Sequence, residues 1–326
     1  MFGTALPPLS HELVRLIGLV DECRGDWRAR LEIEGGADRY AALIHDATVA
    51  AIGASTRLAG AALSDARVRS RLADPAPSPL RTHDEMAVDG YAEAHRLAVG
   101  PWRERPLTAE LIADLHRTAV AQTVRDGWLG GRFAQHGDRV AELAAWETAE
   151  RASGRLHPVI RIAMVHLGLS TLHPFRVANG RATRLVTALL LRQARYAHCD
   201  VAALEAEFER HDRAIGEALR ATHDGALLHW LETFAHLLVE QTRAVDAAIA
   251  RYRAEGPALP DLAARLVALV RERDRVTMGD AVGITGVSRN TLKAHFRHLV
   301  ERGLMERRGA GRGAFYALPW PRSTLR

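Results

Sequence analysis

The stretch HPFRVANGRATR, His173 to Arg184, decides how the chain is read. It joins a histidine, a proline-set turn, an Asn-Gly pair and two arginines three residues apart. The apolar runs on either side, PVIRIAMVHLGLST and RLVTALLLRQARY, both predict buried helices. A polar, glycine-containing loop between two such helices does something other than pack. Gly180 opens the second helix, whose first N–H groups lack intrahelical partners at the positive end of the helix dipole. That is a ready site for an anion. Asn179 and Gly180 supply a turn in which successive N–H groups can converge on phosphate oxygens. Arg181 and Arg184 fall on one face of the first turn, and two guanidinium forks there suit a di- or triphosphate. His173, just ahead, can take a proton from a hydroxyl attacking a bound phosphate chain. The residues therefore predict nucleotide binding with phosphoryl or nucleotidyl transfer, His173 acting as base.

Outward from this loop, the chain of 326 residues has 48% hydrophobic side chains, enough for a well-buried core. Alanine, leucine and arginine dominate and strand-forming runs are scarce, so a mainly all-α protein is predicted. Cys23 and Cys199 show no metal-ligand spacing, which suits free thiols in a reducing cytoplasm. The opening MFGTALPPLSHELV lacks the pattern of a signal peptide. No run approaches the roughly 18 apolar residues that span a membrane, so no membrane partner is expected.

Helical spacing predicts two or three helices over residues 7–72, with a break near Gly35-Gly36. A proline-rich loop follows, DPAPSPL (Asp74–Leu80), then a helix through EMAVDGYAEAHRLAV. Thr108 is placed to cap the helix in LTAELIADLHRTAV. RDGWLGGRFAQHGDR, Arg125 to Arg139, is glycine-dense and predicts a loop or short hairpin. Glu207 to Ala254 reads as two helices split near Asp224-Gly225, and EGPALPD (Glu255–Asp261) is the best domain boundary. The chain thus divides into an N-terminal helical region (1–72), a central core (73–254) and a C-terminal module (255–326).

Charge is unevenly placed. From Asp261 onward there are 13 Lys and Arg against 6 Asp and Glu, a net +7, while the rest carries −2. The C-terminal pattern predicts a small winged helix-turn-helix. Ser288 caps a helix whose Leu292, Phe296, Leu299 and Val300 face inward and whose Arg289, Asn290, Lys293 and Arg297 face outward. LMERR and AFYAL flank GAGRG as a two-stranded wing bearing Arg307, Arg308 and Arg312. Such a module enters a DNA groove, with wing arginines on phosphates. Winged helices also serve as docking or homodimer surfaces, but the +7 charge favours DNA here.

HPFRVANGRATR also resembles the signature of the Fic (Fido) family of protein nucleotidyl transferases, H-x-F-x-[D/E]-[G/A]-N-[G/K]-R-x-x-R. His173, Phe175, Ala178, Asn179, Gly180, Arg181 and Arg184 match it in register. LTAELIADLH, GWLGGRF, HPVIRIAMVHLGLSTLHPF and HDGALLHWLETFAHLL extend the resemblance over roughly Leu6 to Arg251. The resemblance implies a helical fold with a short β-hairpin flap, and an activity moving AMP from ATP to a Ser, Thr or Tyr hydroxyl of a target protein. It implies His173 as general base, Phe175 as loop anchor, and Asn179, Gly180, Arg181 and Arg184 as phosphate holders. Gly131, Arg132 and Phe133 would belong to the flap that aligns the target. Two positions depart. Val177 stands where the family carries the carboxylate that holds Mg²⁺, and no Asp or Glu lies between Leu156 and Cys199. Magnesium is therefore expected to be weak or absent. Many relatives also carry an inhibitory [S/T]-x-x-x-E-[G/N] helix; here STRLAG aligns Ser55 and Gly60 but puts Ala59 at the glutamate. The readings are a transferase with a degenerate metal position, or an impaired scaffold that binds nucleotide and regulates through DNA.

Overall fold

The spacing of Leu13, Leu16, Val20 and Trp27 gives α1 (His11–Ile33) one apolar stripe, and all four are buried. The computed structural model describes residues 7–33, 40–73, 82–123, 129–254 and 261–319. The breaks expected at Gly35-Gly36, in DPAPSPL and in the linker 255–260 lie outside these residues, as does Gly127. α2 (Ala41–Arg57), α3 (Asp65–Ala73), α4 (His83–Val99), α5 (Ala109–Val120) and α6 (Gly137–Ser153) follow. Then come α7 (Pro158–Leu172), α8 (Asn179–Gln193), α9 (Leu204–Arg210), α10 (Asp212–Ala221) and α11 (Leu227–Ala254). The protein is mainly helical, as its composition predicts.

Local chemistry sets several of these ends. Thr82 and Glu85 cap α4 reciprocally, each side chain accepting the other's backbone N–H. Thr108 Oγ1 accepts from Leu111 N at 3.1 Å and opens α5 where expected. Pro158 sits in the first turn of α7, where its missing N–H costs nothing. The break before α11 falls at Gly225, in the left-handed region at φ 86°.

α7 is apolar almost all round and must be enclosed, and α8 is buried along nearly its whole length from Arg181 to Leu191. α7 packs on α8, α6 and α11, and α8 packs also on α4 and α5. One continuous core runs from Leu13 on α1 to Val239 on α11. Trp230, fully buried, donates its indole N–H to the Ala163 carbonyl at 2.9 Å. Each such side chain contributes about 1.5–3 kcal/mol by leaving water. Arg161 of α7 pairs with Glu147 of α6 inside this core, both nearly without exposure.

The C-terminal unit comprises α12 (Asp261–Arg273), β1 (Val276–Thr277), α13 (Met278–Thr285), α14 (Arg289–Glu301), β2 (Glu306–Arg308) and β3 (Phe315–Ala317). Its antiparallel sheet has the order β1-β3-β2, with Tyr316 opposite both Val276 and Arg307. Ser288 Oγ accepts from Thr291 N at 3.3 Å, and Leu292, Phe296 and Leu299 are fully buried. Phe296 stacks on Tyr316 at 3.8 Å between ring centroids. This second core seats on the start of α2 through Ala41 and Ala42. Gly303 (φ 66°) lies so close to α2 that a Cβ there would be 2.6 Å from the His45 ring. No helix among the described residues is long and apolar enough to cross a membrane.

Candidate functional site

The loop between α7 and α8 is bounded by two residues in the left-handed region, His173 at φ 43° and Ala178 at φ 58°. Neither is glycine, so each costs roughly 1–2 kcal/mol of backbone strain that the surroundings must hold. Three devices hold it. Phe175 is buried and stacks on the His116 ring, with centroids 3.7 Å apart and planes 1° from parallel. Phe133 adds its ring at 5.1 Å. Asn179 pins the loop to itself: its Oδ1 accepts from Phe175 N at 2.9 Å and its Nδ2 donates to Phe175 O at 2.7 Å. Asn179 therefore shapes the cradle with both ends of its amide.

With Ala178 as its N-cap, the start of α8 has no side-chain cap and no acidic residue in its first turn. Gly180 is exposed there and Arg181 is buried just beneath. Arg184 reaches from the second turn toward α2. Its Nε donates to Ser55 Oγ at 2.7 Å and its Nη2 to the Ser55 carbonyl at 2.9 Å. Its other nitrogen, Nη1, stays under the helix start, 3.1 Å from where a Gly180 Cβ would lie. Burial lowers the Arg184 pKa, while Tyr91 and Glu205 work against that shift. The His173 side chain is exposed at the other end of the loop, as is that of Arg176.

Residues 129–136 of the glycine-rich segment form turns laid along the loop. Ala134 and Gln135 donate backbone N–H groups to the Pro174 carbonyl at 2.8 and 3.4 Å. Gln135 Nε2 donates to the His173 carbonyl at 3.3 Å. Gly131 donates its N–H to His116 Nδ1 at 3.0 Å, while His116 Nε2 lies 3.0 Å from the Val177 carbonyl. At φ 73°, Gly131 has no room for a Cβ, which would meet Arg117 Nη2 at 2.8 Å and the Ala113 carbonyl at 2.9 Å. Arg132 next to it is exposed.

Val177 is half-buried in the loop, and Ala59 is exposed in the turn after α2. Arg57, between Ser55 and Ala59, is bound by Asp65 and Glu209. No described group of three or more His, Cys, Asp and Glu side chains is arranged to hold a metal. The loop offers valine where an oxygen ligand is needed, its Asn179 amide is spent on Phe175, and the Val177 carbonyl faces His116. The Mg²⁺ that the resemblance implies does not fit these donors.

On α14, Arg289, Asn290, Lys293 and Arg297 are all exposed, whereas Leu292, Phe296 and Leu299 are buried. Arg307 is exposed, whereas Arg308 is held by Glu306 through Nε and Nη2 at 3.0 and 2.8 Å. The Arg312 side chain lies outside the described residues.

Sequence reasoning assigned nothing to His116 and gave Asn179 a place in the turn and on the phosphates, not a bond back to its own loop. A histidine in an apolar helix reads as core, and its two backbone partners are 15 and 61 residues away in sequence. Asn179 and Phe175 are four apart, within the reach of local side-chain to backbone bonding, so that signal was present.

Residues 106–191 match the model of the Fic/DOC family, and residues 259–317 match that of a bacterial protein family of unknown function (DUF977). A Fic family protein from Desulfovibrio desulfuricans G20 superposes with a TM-score of 0.64 at 18% identity, covering 98% of this chain and all of that one. Residues 134–508 of Fic-1 from C. elegans give 0.55 at 16% identity, covering 72% of this chain and 71% of that one. A Fic domain containing signaling protein from Bacteroides thetaiotaomicron VPI-5482 gives 0.55 at 19% identity, covering 73% and 98%. The helical fold is that of the Fic proteins, and the residues that match the Fic/DOC family model, 106–191, carry the whole loop with α5, α6, α7 and most of α8.

Proposed function

We propose that the domain binds the phosphate chain of ATP at the start of α8 and transfers AMP to a Ser, Thr or Tyr hydroxyl of a target protein. The observation that carries this is a helix start left open by its own loop, with an exposed histidine at the loop's other end. N–H groups of the first turn and the cations of Arg181 and Arg184 face developing negative charge. His173 takes the proton of the target hydroxyl, whose oxygen bonds to the α-phosphorus. The bond from that phosphorus to the bridging oxygen breaks, and pyrophosphate leaves. The residues 129–136, stitched to the loop, lie where a target segment would be aligned. A lost electrostatic stabiliser at Val177 slows such a reaction by about 10²–10³-fold relative to a metal-assisted site. The test is transfer of label from α-labelled ATP to lysate proteins by wild type and His173→Ala. Label from wild type alone supports the reading; label from neither protein, or equally from both, defeats it.

A second reading is favoured by the exposed Arg289, Lys293 and Arg297 on a capped helix beside a small sheet. In it the C-terminal unit is a winged helix that binds DNA, and the Fic/DOC domain is a nucleotide-responsive scaffold. Binding to the DNA upstream of its own coding sequence should weaken steeply with salt and be lost in Arg289→Ala/Lys293→Ala. Salt-insensitive association, or self-association through the same face, points instead to a docking or homodimer module.

A further inference from the structure

We propose that His116 is a positioning residue that couples the glycine-rich segment to the central loop through a neutral imidazole. The inference rests, for its nucleotide arm, on the reading that the loop holds ATP. His116 is fully buried on α5, a helix that contributes no other side chain to the loop's hydrogen bonds among the described residues. Gly131 N can only donate and the Val177 carbonyl can only accept. The ring must therefore keep Nδ1 bare toward Gly131 and carry its proton on Nε2 toward Val177.

Each partner is a point of control. Gly131 sits in the segment that lies along Pro174, and its positive φ and crowding by Ala113 fix it against α5. Val177 precedes Ala178, the strained residue that sets the direction of the first N–H groups of α8. Holding the Val177 carbonyl therefore fixes the peptide plane from which the anion cradle starts. One side chain thus sets the flank of the target path and the entrance to the phosphate path, 3.0 Å from each. Stacking on Phe175 does not require a histidine, since phenylalanine would stack as well. The two hydrogen bonds do.

Amide side chains separate the two halves. Asparagine places an acceptor near the Nδ1 position and glutamine places a donor near the Nε2 position. The full-length chain carrying His116→Asn, His116→Gln or His116→Phe is compared with wild type. Amide hydrogen exchange is read over residues 129–136, and ATP affinity is read by calorimetry. His116→Gln should raise exchange in the segment at least about tenfold and leave ATP affinity within about threefold, since it keeps the loop bond. His116→Asn should do the reverse, and His116→Phe should show both losses. Equal profiles for the Asn and Gln variants, or a wild-type profile for the Phe variant, would overturn the proposal. If wild type takes up no ATP, the nucleotide reading falls and exchange alone decides: faster in Gln than in Asn supports the bridge, and equal rates overturn it. If the variants do not fold, long-range ¹⁵N–¹H spectra of the wild-type ring decide. A neutral ring protonated on Nε2 supports the bridge, and a proton on Nδ1 overturns it.

Discussion

Ser55→Ala should destabilise the protein far more than the loss of one hydroxyl suggests. Ser55 has no exposed surface, and its Oγ accepts a hydrogen bond from Arg184 Nε at 2.7 Å. Alanine leaves a charged donor in place with its acceptor gone. Stranding such a donor costs about 1.5–3 kcal/mol, against a few tenths for an exposed serine. In a domain of this size each kcal/mol moves the melting temperature by about 2–4 °C, so a fall of about 3–12 °C is expected. Urea unfolding followed through buried Trp230 measures the same quantity in kcal/mol. A second substitution isolates the cause. In Arg184→Met the charge itself is gone, so adding Ser55→Ala to it should cost at least about 1 kcal/mol less than in wild type. A loss below about 0.5 kcal/mol for Ser55→Ala, or full additivity with Arg184→Met, would refute the claim that α2 holds this arginine.

Three further outcomes follow from the same geometry. Asn179→Ala removes both bonds to the Phe175 backbone and should cost about 1–3 kcal/mol in urea unfolding, with ATP affinity falling at least tenfold. Val177→Glu should make ATP affinity depend on Mg²⁺ by tenfold or more in calorimetry, whereas wild type should bind alike in Mg²⁺ and EDTA. Acid should destabilise the fold through buried histidines: burial pushes His95 and His166 down to about 3 and His198 down to about 4. The unfolded chain protonates these rings below about 6.5 while the native one does not, so their stabilisation is full above that pH and is lost as pH falls toward 4. At pH 5 each ring should cost about 2 kcal/mol, readable as a falling urea midpoint between pH 7 and 5.

The loop and its two helices were legible because their signals are local. Apolar runs long enough to be enclosed helices flank a polar turn, and Thr108, Ser288 and Gly225 mark element ends by short-range chemistry. The C-terminal pattern was equally local, with Leu292, Phe296 and Leu299 spaced to one helix face. What could not be read depends on residues brought together from afar. Arg184 finds Ser55 across 129 positions, and His116 finds Val177 across 61. Nothing in the sequence near Gly303 says that it will lie against His45 of α2. The pin at Asn179 was missed for a different reason: its type suits a turn and a phosphate ligand, and only the short distances to Phe175 reveal that its amide is already used.

Titration of ATP into wild type and Gly180→Ala in EDTA, with urea unfolding of both, is the decisive measurement. Gly180 is helical with no positive φ, so alanine is tolerated by the backbone and should add about 0.5–1 kcal/mol of helix stability. Its Cβ would stand at the open start of α8, 3.1 Å from Arg184 Nη1, the one guanidinium nitrogen that Ser55 does not hold, which must give by a few tenths of an ångström. If phosphate is bound on that first turn, wild type takes up ATP without metal, and the equally or more stable variant binds it at least tenfold more weakly. Equal affinity in the two proteins, or no uptake by wild type, would contradict a phosphate cradle between His173 and Arg184.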